Sequence, residues 1–130
     1  MPIVVLVCRL LLGLMFTVFG LNGFLLFMPP PPHIPGYAGA FSAAMMSSHY
    51  VYLTAGVQLL CGVLLLLNRY VPLALVMLAA VIANILTFHI TMWPQPLVPF
   101  PILVTLLWLI VAWPLRAHFA PLFVRKVEPL

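Results

Sequence analysis

Few side chains in this sequence can do chemistry, and most of them sit inside long apolar runs. Two carboxamides, Gln58 and Asn84, lie within such runs, with Thr54 and Thr87 close by in sequence. An amide offers a donor and an acceptor without a charge, so this set suits a quinone carbonyl or a lipid headgroup. Its other use is hydrogen bonding between helices, worth about 0.6 kcal/mol on average in a membrane. Tyr52, Asn22 and His89 complete the candidate ligand-binding set. Asn22 and His89 join it only through helix bending or from a neighbouring chain. Arg9 interrupts the first apolar run and suits a lipid headgroup or an acidic partner. Imidazoles at His33, His49 and His89 are of a type that ligates zinc, copper or haem, but they lack ligand spacing and a nearby acid. Cys8 and Cys61 belong to different runs and form no Cys-x-x-Cys pair. The residues therefore name no catalytic group and no metal site. A quinone is the cofactor that the amides would accept, though nothing requires one.

The elements that position these groups follow from composition. Of 130 residues, 66% are hydrophobic and 5% charged, with a mean hydropathy of +1.29. Soluble domains carry about 25% charged residues, so lipid is the expected solvent. The five basic residues form no cluster beyond Arg125-Lys126, which excludes a nucleic-acid surface. Residues 1–28 lack the basic leader and cleavage site of a signal peptide and read as a retained span. We expect an all-α fold: an integral membrane four-helix bundle in a single transmembrane domain over 1–130. Its spans fall at about 3–28, 50–67, 71–92 and 101–114, each near the length that crosses a bilayer. Pro29-Pro30-Pro31-Pro32 ends the first. Small residues from Tyr37 to Met46 predict a short outer interfacial helix between spans 1 and 2.

Helical period groups Val51, Thr54, Ala55, Gln58, Cys61 and Gly62 on one stripe of the second span. In the third it groups Met77, Ala80, Asn84, Thr87, Phe88 and Thr91, and in the fourth Pro101, Thr105, Trp108, Ala112 and Arg116. These stripes are expected to face one another, bringing Gln58 toward Asn84. Arg9, Gly13, Thr17 and Gly20 share a face of the first span, and the glycines predict close packing. Four spans put Arg69, Arg116, Arg125 and Lys126 on one side, so both termini are expected in the cytoplasm. A short internal likeness links Asn22 before Phe27-Met28-Pro29 with Asn84 before Met92-Trp93-Pro94.

The run Arg9-Leu-Leu-Leu-Gly13, followed by Phe19-Gly-Leu-Asn22-Gly23-Phe24, resembles the DoxX family of small bacterial membrane proteins. So do Asn68-Arg-Tyr-Val-Pro-Leu-Ala-Leu75 and Asn84-Ile-Leu-Thr-Phe-His89, and the likeness runs over nearly the whole chain. The resemblance implies four transmembrane helices in the bacterial inner membrane and, for some members, a link to redox or sulfur metabolism. Gln58 stands where related sequences often carry an acid, so the resemblance does not bring proton transfer with it. Three functions remain open at this point. One is a non-catalytic membrane subunit, or lipid- or quinone-binding protein, with a redox-enzyme partner or a second copy of itself. Another is a membrane oxidoreductase acting on a quinone-like substrate. The third is a small carrier for a lipophilic compound.

Overall fold

The computed structural model describes residues 2–28, 34–94 and 100–129. The proline run 29–32, His33 and the connection 95–99 lie outside the described residues. Among the described residues, five helices of more than one turn form: α1 (Ile3–Leu25), α2 (Gly36–Ser47), α3 (Val51–Leu67), α4 (Val71–Thr91) and α5 (Phe100–Ala112). The described residues contain no strand. A 3-10 turn at Trp113–Leu115, one helical turn α6 (Arg116–Phe119) and a second 3-10 turn at Ala120–Phe123 extend α5.

Three stretches are long and apolar enough to cross a membrane: Ile3–Leu25, Val71–Thr91 and Phe100–Phe123. The fourth candidate crossing is α3, whose 17 residues rise about 25 Å at 1.5 Å each. It is joined to α2 through a bend of 86°. With α3 upright, α2 therefore lies nearly in the membrane plane, as an interfacial helix does. The last stretch reaches past Pro114, where the sequence pattern ended the span. Leu115 and Phe119 pack against the core and carry it on.

Local chemistry sets the helix ends. Asn22 closes α1: its carbonyl accepts the Leu26 amide at 2.8 Å, and its side-chain Oδ1 accepts the Met28 amide at 2.8 Å. Asn68 ends α3 with φ 55°, a left-handed geometry that Asn tolerates. The Arg69 amide then donates to Leu64 O at 3.0 Å and the Asn68 amide to Leu65 O at 3.4 Å, a Schellman pattern that satisfies two terminal carbonyls. Pro72 follows in the first turn of α4, where its missing N–H costs nothing.

Around the bundle, α1 neighbours α3, α3 neighbours α4, α4 neighbours α5, and α5 returns to α1. The α1–α3 pair is the most intimate. A Cβ on Gly20 would fall 2.5 Å from the Leu59 backbone nitrogen, and one on Gly62 would fall 2.5 Å from the Thr17 nitrogen. Gly23 meets Ala55 in the same seam, while Gly13 faces Gly62 and Leu65. The pairing is thus antiparallel, and its small residues let the backbones nearly touch. The core joins Leu12 and Phe16 of α1 with Cys61 and Leu65 of α3, Leu75 and Leu78 of α4, and Val104, Leu107 and Val111 of α5. Leu and Val side chains point outward along α1 and α5, as a lipid solvent permits.

Candidate functional site

Two side-chain hydrogen bonds join different helices among the described residues. Arg9 Nη1 donates to Leu65 O at 2.6 Å, and Trp108 Nε1 donates to Leu75 O at 2.8 Å. Both lie toward the end that carries the α3–α4 loop. Arg9 is 8% exposed. Its guanidinium turns inward to the last turn of α3, where the negative end of the helix dipole favours a cation and Leu65 O accepts from Arg9 in addition to the Asn68 amide. The expected reach toward headgroups is therefore replaced by a lock between α1 and α3. The Trp108 bond was not anticipated. Its signal was a ring N–H in an apolar helix, a donor that has to find an acceptor when half-buried.

Hydroxyls in the spans are spent locally. Thr17 bonds to Gly13 O at 2.7 Å, Thr54 to Val51 O at 2.9 Å, Thr87 to Ala83 O at 2.8 Å, Thr91 to Thr87 O at 2.7 Å and Thr105 to Pro101 O at 2.7 Å. Back-bonding within one helix satisfies an O–H without a neighbour. This explains the main departure from the expected facing stripes. The polar stripe of α4 looks outward: Ala80, Asn84, Thr87 and Thr91 are exposed, and Asn84 Nδ2 donates to Ala80 O at 2.9 Å. The buried stripe of the same helix is Val71, Ala74, Leu75, Leu78 and Ile82. Among the described residues no hydrogen bond links Gln58 to Asn84, and the two lie on stripes that do not face each other.

Gln58 lies on the inward stripe of α3 but does not face Asn84. It stands one heptad from buried Leu65, flanked by buried Ala55, Cys61 and Gly62. It is half-buried, and its amide has no hydrogen-bond partner among the described residues. His89, seven residues beyond Ile82, continues the buried stripe of α4 together with Ile85. Burial on α4 stops at Ile82, and Ile85, Leu86 and His89 are only half-buried. His89 Nδ1 lies 3.1 Å from Trp93 O. A proton on Nδ1 makes that contact a hydrogen bond and leaves Nε2 as an acceptor. The ring stacks on Trp93 at 6.1 Å and meets Phe88 edge-on at 5.1 Å. The inward set at the α2 end is therefore Thr54, Gln58 and His89, with Asn84 and Thr87 on the opposite face. Extending the apolar positions of α4 by sevens, rather than grouping its polar ones, places His89 on the inward stripe without the helix bending that its candidacy had required.

The remaining candidates serve the ends of helices. Tyr52 is exposed and stacks between Phe24 at 5.3 Å and His49 at 5.6 Å. Phe41 of α2 meets Phe88 of α4 at 5.5 Å, so α2 reaches across to the end of α4 near His89. Asn22 caps α1 and Asn84 lies on an outward face, so the short internal likeness does not give the two residues a shared role. Cys8 and Cys61 are free and buried. No three His, Cys, Asp or Glu residues group to hold a metal among the described residues. Two open apolar grooves flank the far end of α5, away from Gln58.

An antiparallel bundle of apolar helices whose span hydroxyls bond back to their own helices is the architecture of a multi-pass membrane protein. Residues 4–90 match the family model of DoxX, so the chain belongs to the DoxX family. The match covers α1 to α4 and stops short of α5. No curated protein and no solved structure matches the chain.

Proposed function

We propose that this DoxX-family chain is a non-catalytic membrane subunit that holds a lipid or quinone between α3 and α4 and supports a redox enzyme. The observation that carries the reading is Gln58, an amide on the inward stripe of α3 without a hydrogen-bond partner among the described residues. Its polar atoms are not shut inside the protein, and an unpaired amide that meets hydrocarbon instead of water costs about 1–3 kcal/mol. A carbonyl or hydroxyl on a ligand offsets that cost without a charge. His89 offers a second polar atom toward the same half of the bundle, and α2 lies over its end. The outward stripe of α4, with Asn84 at its centre, is the face we assign to a partner helix.

The test is extraction from gently purified protein, with the bound lipophile counted by mass spectrometry. Losing one hydrogen bond is worth about tenfold in affinity. Gln58→Leu is expected to lower occupancy by about that factor, while Asn84→Leu leaves it unchanged and releases the partner. Occupancy that falls with Asn84→Leu and not with Gln58→Leu would reject the assignment.

We place the protein in the bacterial inner membrane with both termini in the cytoplasm. Support comes from charge. Arg69, Arg116, Arg125 and Lys126 belong to the loop and tail at one end of the bundle, and the described part of the α2 end carries no Lys or Arg. In a cysteine-free background, Ser42→Cys should react with an impermeant thiol reagent on intact cells and Val127→Cys should not. The reverse labelling pattern overturns the orientation.

A further inference from the structure

Away from Gln58, α4, α5 and the segment after it wall a groove of about 440 Å³. Its sides are apolar: Val76 and Ala79 of α4, Trp108 of α5, and Phe119 and Phe123 beyond. One charged residue, Arg116, lines it. Arg116 is fixed in place, with its guanidinium 4.5 Å from the centre of the Trp113 ring and Nη1 donating to Trp113 O at 2.8 Å. Its other N–H groups have no acceptor among the described residues. The groove sits at the end that carries the α3–α4 loop, since Trp108 bonds to Leu75 in the second turn of α4. An apolar trough with a cation at one end of the bundle has the form of a phospholipid site.

We propose that this groove binds one anionic phospholipid, its acyl chain along Ala79 and Trp108 and its phosphate on Arg116. Charge decides the occupant. Glu128, in the exposed tail, is the only acid in the chain, so the counter-anion for Arg116 comes from outside the bundle. A second copy would bring no acid within its spans to meet Arg116. An anionic headgroup supplies the charge, and its acyl chain fills the trough that a soluble anion would leave empty. Trp113, stacked under the guanidinium, holds the fork toward the boundary and limits the entropy lost on binding.

Native mass spectrometry of the delipidated full chain tests this, with dioleoyl phosphatidylglycerol and dioleoyl phosphatidylcholine titrated separately. One phosphatidylglycerol should be retained in preference to phosphatidylcholine. Each basic side chain near an anionic surface contributes about a fivefold preference. Arg116→Gln should remove most of that preference, weakening phosphatidylglycerol about fivefold and phosphatidylcholine, whose ammonium already offsets its phosphate, by less, while Arg116→Lys keeps most of it. Ala79→Trp, with helicity checked by circular dichroism, should fill the trough and weaken both lipids. Glycerol phosphate at millimolar concentration should not compete. Equal retention of the two lipids, an unchanged preference in Arg116→Gln, or displacement by glycerol phosphate would each overturn the proposal.

Discussion

Replacing Gly62 with leucine is expected to separate α1 from α3 and cost about 3 kcal/mol, the upper part of the usual range for overpacking. A Cβ at that position would meet the Thr17 nitrogen at 2.5 Å and the Gly13 carbonyl oxygen at 2.8 Å. Both are backbone atoms of α1, so no rotamer change relieves the clash. The whole helix has to move, and the contacts of Gly20 with Leu59 and of Gly23 with Ala55 move with it. Gly56 on the same helix is the control. The nearest atom to its missing Cβ is the Phe24 ring at 3.8 Å, so there is room for a methyl group. Gly56→Ala should be neutral or stabilise by up to about 1 kcal/mol through helix propensity. Reversible unfolding of the two variants in the same bicelle checks the contrast. Equal losses would mean that the α1–α3 seam is not backbone-tight.

Arg9→Glu is expected to be about as damaging, again on the order of 3 kcal/mol, for an electrostatic reason. Arg9 donates to Leu65 O at the C-terminal end of α3 and is 8% exposed. A carboxylate there would face the negative end of the helix dipole with no cation to pair it. Arg9→Lys retains a cation but loses the guanidinium fork and should cost about 1 kcal/mol. Steric-trapping measurements on both variants separate charge from volume. Similar costs for Glu and Lys would show that Arg9 contributes packing alone.

Much of this fold was legible because a bilayer imposes strong rules on sequence. Apolar runs near 20 residues and the Asn68 turn with Pro72 after it read as membrane helices and a tight turn, and the small-residue segment before Tyr50 read as a short helix, which forms as α2. Glycines on one face of α1 announced a close neighbour, because only small residues let backbones approach. The α4 stripe misleads because, in sequence, polarity reads as a sign of the interior. In a lipid-embedded helix, Thr and Asn can meet their needs at the carbonyl four residues back, as Thr87, Thr91 and Asn84 do. They can then face outward. Arg9 misled for a related reason. Its distance from the boundary permits snorkelling, and sequence cannot reveal that a neighbouring helix ends within reach of its guanidinium. Asn22 has one amide and two possible uses, and only the turn after Leu25 decides for the cap.

Gln58 carries the functional account, and its stability effect tests that account most directly. A side chain kept for packing should destabilise the bundle when lost. One kept for a ligand burdens the empty protein, because its amide is half-buried without a partner. Stability traded for binding in this way is a common signature of a site. The measurement is the unfolding free energy of delipidated wild type and Gln58→Leu in matched bicelles, alongside their lipophile occupancy. The account predicts that Gln58→Leu is more stable by about 1 kcal/mol while its occupancy falls. A variant that is less stable than wild type, with occupancy unchanged, would contradict it and return Gln58 to a packing role.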